Sequence, residues 1–131
     1  MRKVLLGAVT LVVLLALGAS LRAQRGDWVF LGDRHVDGAM DHDVIHVGKS
    51  EGWFRAIQFR VEGGVVEFDR AVVHFGNGEA QRLDVRERIP DGGRTRPIDL
   101  SGDKRHIESV ELWYSKARWE RRPRVALFGI R

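Results

Sequence analysis

The feature that most constrains this chain is the shortness of its apolar patterns. From Asp27 onward, apolar and polar residues alternate in runs of three to eight, and glycine-bearing breaks recur at intervals of roughly 8 to 12 residues. No long stretch there carries the 3.6-residue apolar period of a helix. Such spacing predicts an all-β domain, a single antiparallel β-sandwich of jelly-roll type. Expected strands are Asp27 to Leu31, Val44 to Val47, Phe54 to Val61, Val65 to Phe68, Ala71 to Phe75, Arg82 to Arg86, Ile98 to Leu100, Ile107 to Tyr114 and Arg124 to Ile130. The breaks "EGG", "GNG", "PDGG" and "SGD" supply the turn chemistry.

Side-chain parity sharpens the prediction. In "AVVHFGNGEAQRLDV" a two-residue turn at Asn77-Gly78 would scatter apolar groups over both faces of the hairpin. A three-residue loop, Gly76-Asn77-Gly78, keeps Ala71, Val73, Phe75, Leu83 and Val85 on one face and puts Gly78 in the left-handed position such a loop requires. Ile57, Phe59 and Val61 then share a face, as do Val110, Leu112 and Tyr114, with Gln58, Arg60, Glu62, Glu111 and Trp113 turned away. One-sided strands of this kind suit two sheets packed face to face.

The first 23 residues differ in kind. A basic start at Arg2 and Lys3, an uncharged run from Val4 to Leu17 and small residues around Ala23 have the pattern of a secretory signal peptide. The run of 14 residues is short of the roughly 20 that cross a bilayer core. Residues 24–131 are therefore expected as one mature domain, periplasmic or secreted, with no transmembrane segment after cleavage. Removing Arg2, Lys3 and Arg22 from the 22 basic side chains leaves 19 against 18 acidic ones, so the formal charge falls from +4 to +1. A nearly neutral exported domain is not expected to bind nucleic acid. The absence of cysteine removes thiol nucleophiles, thiolate metal sites, disulfides and a lipoprotein acceptor together.

Several segments are distinctive in combination: "WVFLG", "VDGAMDHDVIHVG", "GWFRAIQFRV", "HFGNGE" and, most specific, "GGRTRPIDLSGDKRHI" at residues 92–107. Together they resemble a family of small exported bacterial proteins catalogued as a domain of unknown function. The resemblance spans about Trp28 to Gly129 and implies a single β-sandwich made for export. It carries no catalytic residue, cofactor or ligand, and in the family's pattern the position of His42 is often arginine.

Within "GAMDHDVIHVG" the question is metal. His42 and His46 are four apart, but on a strand that spacing separates them by roughly 13 Å, too far for one ion. Asp41 and Asp43, two apart in a loop leading into a strand, could hold calcium with backbone carbonyls and water, or could cap the turn by accepting backbone amides. In "GGRTRPIDLSGDKRH", Arg94, Arg96 and Arg105 could form an anion site, or Asp99 and Arg105 could pair across the Ser101-Gly102 turn.

Enzymatic signals are sparse. No acidic residue has the apolar setting of a glycosidase acid, and no serine has a nucleophile-elbow motif. No cofactor is expected. A non-enzymatic envelope-associated binding or structural module accounts for more, with Trp53, Trp113, Trp119, Arg96 and Arg105 as candidate ligand contacts and an envelope polysaccharide, an anionic surface or a protein as partner. Lys116, Arg118, Arg121, Arg122 and Arg124 around Trp119 form the basic tract of that surface. The alternative is a calcium-dependent sandwich or hydrolase centred on Asp41 and Asp43.

Overall fold

The computed structural model describes residues 27–38, 40–118 and 120–131. The expected signal peptide, residues 1–23, and Trp119 lie outside the described residues. The described strands are β1 (Trp28–His35), β2 (Asp41–His46), β3 (Trp53–Phe54), β4 (Ala56–Glu62), β5 (Val66–Phe75), β6 (Ala80–Leu83), β7 (Arg88–Ile89), β8 (Ile98–Asp99), β9 (Arg105–Lys116) and β10 (Arg124–Ile130). One sheet runs β1-β10-β4-β8. The other runs β2-β9-β5-β6, with β3 joined to β9 and β7 to β5. Every pairing is antiparallel, and among the described residues the only helical piece is a 3-10 turn at Lys49–Glu51.

The two sheets enclose one apolar core. Phe59 of β4 stacks on Phe68 of β5 with centroids 5.4 Å apart, and Phe68 meets Tyr114 of β9 at 6.0 Å. Val61, Val73, Val110, Leu112, Val125 and Leu127 fill the space between them. Burying side chains of this size stabilises by about 1.5–3 kcal/mol each, which is how a cysteine-free domain holds together. Packing is tight enough to demand glycine at position 129 on β10. A β-carbon there would lie 2.7 Å from Phe54 Cδ1 and 2.9 Å from Leu31 Cδ1.

The hairpin between β5 and β6 has the three-residue loop that parity demands. Ala71 pairs with Leu83 and Val73 with Gln81, and Phe75 N–H donates to Glu79 O at 2.8 Å. Gly78 takes φ +91°, a conformation that carries a steric penalty for any residue with a β-carbon.

The expected strand Arg82 to Arg86 is instead β6, Ala80–Leu83, and three further departures from expectation bear on the packing. The strands expected at Val65 to Phe68 and Ala71 to Phe75 are one ten-residue strand, β5. A bulge at Asp69 absorbs the change of parity, so Val66 and Phe68 on one side of it and Ala71, Val73 and Phe75 on the other all face inward. A second bulge at Glu108 does the same in β9, which extends to Arg105 and Lys116 beyond the expected limits. Gln58, expected on a solvent face, is buried. The chain after Gly93 folds along β4: Thr95 Oγ1 accepts Phe59 N–H at 3.1 Å, and Gln58 Nε2 donates to Thr95 O at 2.9 Å.

Candidate functional site

Trp53 is the exposed tryptophan of the described set, with 53% of its surface open. Its place follows from pairing: Trp53 stands opposite His106 on β9, and the two rings approach to 3.8 Å between centroids. His106 Nδ1 donates to Gly52 O at 2.7 Å, which fixes the imidazole under the indole. Beside them Arg105 lies over the Phe75 ring at 3.8 Å, and Gly76 and Asn77 close a cleft of about 350 Å³. Aromatic surface, fixed donors and a concave wall are thus gathered within a few residues, the composition typical of small ligand sites.

Trp113 projects from the opposite end of β9, seven residues from His106 and roughly 23 Å away at the strand's rise. The two tryptophans are therefore too far apart to form one contact patch. Trp113 also has both ring faces covered: His42 stacks on it at 4.3 Å with the planes 8° apart, and the Arg70 guanidinium lies 4.1 Å from its centroid. His42 and Arg70 are its register partners on the flanking strands β2 and β5, so the indole is wedged between them.

The arginines separate likewise. Arg105 is largely buried, donates to Ser101 O at 2.9 Å and reaches Glu79 at 3.5 Å. The expected pairing with Asp99 is not made, because the turn aims Arg105 back toward the β5–β6 hairpin. Arg96 lies elsewhere, in a cleft of about 560 Å³ with Trp28, Arg55, Arg94 and Asp99. In the basic tract, Arg122 pairs with Asp37, Arg124 with Asp33 and Glu62, and Arg118 with Glu120.

Asp41 and Asp43 lie within β2, which begins three residues earlier than expected. The Asp41 carboxylate accepts Asp37 N–H at 2.6 Å and Gly38 N–H at 3.0 Å, tying the β1–β2 turn. Asp43 accepts the Tyr114 hydroxyl at 2.7 Å. Burial, and then this hydrogen bond, push the phenol far above its ordinary range. No group of three or more His, Asp or Glu side chains among the described residues is arranged to hold a metal ion.

One further polar cluster crosses the six-stranded sheet. Glu111 of β9 bonds His74 Nε2 of β5 through one oxygen and His42 Nε2 of β2, at 2.7 Å, through the other. Those two hydrogen bonds, from His74 first, hold the Glu111 carboxyl below the usual carboxylate range. The histidines stand opposite Trp113 and Ser109 in the ladder, and Glu111 bridges them as a clamp.

The family described as "Domain of unknown function (DUF2541)" matches residues 9–129, including the whole of "GGRTRPIDLSGDKRHI". The chain belongs to this family. No curated protein matches it. Among solved structures it is similar to Pseudomonas aeruginosa AlgX, at 13% identity and a TM-score of 0.44 over 80% of this chain. It spans only 27% of AlgX. It is also similar to the Yersinia pseudotuberculosis-derived mitogen, at 8% identity over 81% of this chain and 87% of that one, TM-score 0.43. A family 29 carbohydrate-binding module (CBM29-2) shares 12% identity over 79% of this chain and 89% of that one, TM-score 0.31.

Sequence reasoning had no means of finding Trp28, Arg55 or the Glu111 clamp, because each depends on which strands become neighbours. A signal was present for Arg94 and Arg96: the pattern Arg-Thr-Arg has the period of a strand, with a small hydroxyl residue inward and two guanidiniums outward.

Proposed function

We propose that the protein is an exported, non-enzymatic binding module of the bacterial envelope, acting as residues 24–131 after loss of residues 1–23, and that it holds an envelope polysaccharide against Trp53. The observation that carries this reading is the exposure of Trp53 on a rigid support. A large indole left 53% open is poorly placed to stabilise the fold, yet His106 and Gly52 fix its orientation. A fixed, open aromatic face suits the apolar face of a sugar ring, with Arg105 and Asn77 beside it as polar neighbours.

The ionisable groups support a binding role over a catalytic one. The displaced carboxyl and phenol groups are engaged in structural pairs: Tyr114 with Asp43, Glu111 with two histidines, Asp37 with Arg122. Catalytic groups are usually displaced while facing a cleft. Retention of the purified mature chain on peptidoglycan, lipopolysaccharide and neutral polysaccharide columns tests the reading. The parent is expected to be retained on at least one, and Trp53→Ala to elute earlier than the parent from it. A parent that passes through all of them overturns it.

A further inference from the structure

The four-stranded sheet carries a concentration of charge that the fold does not neutralise. Arg60, Arg94 and Arg96 lie on its outer side or on the segment folded along β4, with Arg55 beside them; Arg55 Nε donates to Arg131 O at 3.0 Å, and among the described residues Arg60, Arg94 and Arg96 are in no ion pair. The carboxylates Asp33 and Glu62 on this sheet are taken by Arg124, and the one carboxylate lining the cleft, Asp99 of β8, makes no ion pair among the described residues, leaving three guanidiniums against one acid there. Thr95 explains the projection of two of them: buried, with its hydroxyl on Phe59 N–H, it turns Arg94 and Arg96 to solvent on either side.

Arg60 and Arg94 are opposed across an isolated bridge, and the acid beside them, Glu62, is paired with Arg124. Burial, and then the Arg94 charge, hold the Arg60 guanidinium below its ordinary range. Like charges kept together without a counter-ion oppose folding unless something else gains from them. Aromatic rings complete the surface. Trp28 lines the 560 Å³ cleft with Arg55, Arg94 and Arg96, and in the next row Arg60 lies 3.8 Å over Phe128, whose neighbour Phe30 is 48% exposed. Guanidinium forks bind carboxylate and phosphate groups in pairs of hydrogen bonds, and flat aromatic rings take sugar faces.

We propose that this outer face is a second binding site, independent of Trp53, for an anionic glycan whose sugars carry carboxylate or phosphate groups. Titration of the mature chain with polygalacturonate, phosphorylated dextran and neutral dextran tests it, using Arg94→Ala/Arg96→Ala and the charge-matched control Arg82→Ala/Arg86→Ala on β6 and the segment that follows it. The parent is expected to bind at least one anionic polymer, more weakly as salt rises, and to ignore neutral dextran. The tighter polymer identifies the anion recognised. Arg94→Ala/Arg96→Ala should weaken binding about tenfold or more with a melting temperature no lower than the parent's, while the control binds as the parent does. Trp28→Ala should also weaken it, since a sugar face is lost. The inference is overturned if the parent binds neither anionic polymer, if the control loses as much as the test variant, or if a single-stranded oligonucleotide of equal charge binds as tightly as the glycan.

Discussion

Tyr114 donates its hydroxyl to Asp43 at 2.7 Å, joining the inner side of β9 to β2 at the point where the core meets the β1–β2 turn. Tyr114 is the chain's one tyrosine, so its phenolate absorbance reports this contact alone. Its folded-state ionisation is raised, so the stabilisation is full below the ordinary phenol value near 10 and is lost as pH climbs beyond it. Phenolate should appear only as the fold unravels at strongly alkaline pH. Tyr114→Phe should lower stability by about 1 kcal/mol or more and remove that alkaline dependence. Phenolate appearing near pH 10 (roughly its ordinary value) in the folded chain would contradict this.

The clamp on Glu111 has the opposite sign. Its carboxyl is lowered by His74 and His42, so its contribution is complete above the ordinary carboxylate range and disappears as pH falls through the lowered value. Urea denaturation across a pH series should show an acid limb that Glu111→Gln flattens. An unaltered limb would remove the clamp from the account of acid stability.

Two glycines separate steric overlap from backbone strain. At Gly129 a β-carbon meets Phe54 and Leu31 below 3 Å, and Gly129→Ala should destabilise by about 1–3 kcal/mol. At Gly78 nothing lies within 4 Å, but φ is +91°, and Gly78→Ala should cost about 1–2 kcal/mol through the backbone alone. Gly78→Asn, which tolerates that conformation better, should recover part of the loss. Equal stability of Gly78→Ala and the parent would argue against the loop geometry.

The tryptophans should dissociate binding from stability. Trp53→Ala is expected to change stability by no more than about 0.5 kcal/mol while weakening retention on glycan. Trp113→Ala, by unstacking His42 and Arg70, should cost about 1–2 kcal/mol and leave retention intact. Thermal melts and column retention on the same preparations distinguish the two.

Much of the architecture was legible because apolar parity records which face each residue turns to the core. The Gly76-Asn77-Gly78 loop, the inward set on β4 and the outward position of Trp113 all follow from it. What parity misses is contact between residues distant in the chain. Nothing local to Gln58 announces that Thr95 will cover it, and nothing local to Trp113 announces that His42 and Arg70 will close over its faces. Asp69 misled for a different reason: a bulge reverses parity within one continuous strand, and in a sequence that reversal reads as a break.

The paired bulges at Asp69 and Glu108 also act as a vernier. Slide β5 along β9 by one residue and any half-ladder brought into phase throws the other out; slide it by two and the extra residues no longer meet the ladder where their bend is accommodated. Only one alignment of the two longest strands satisfies both marks, so the central seam of the protein has a single register on which the outer strands depend.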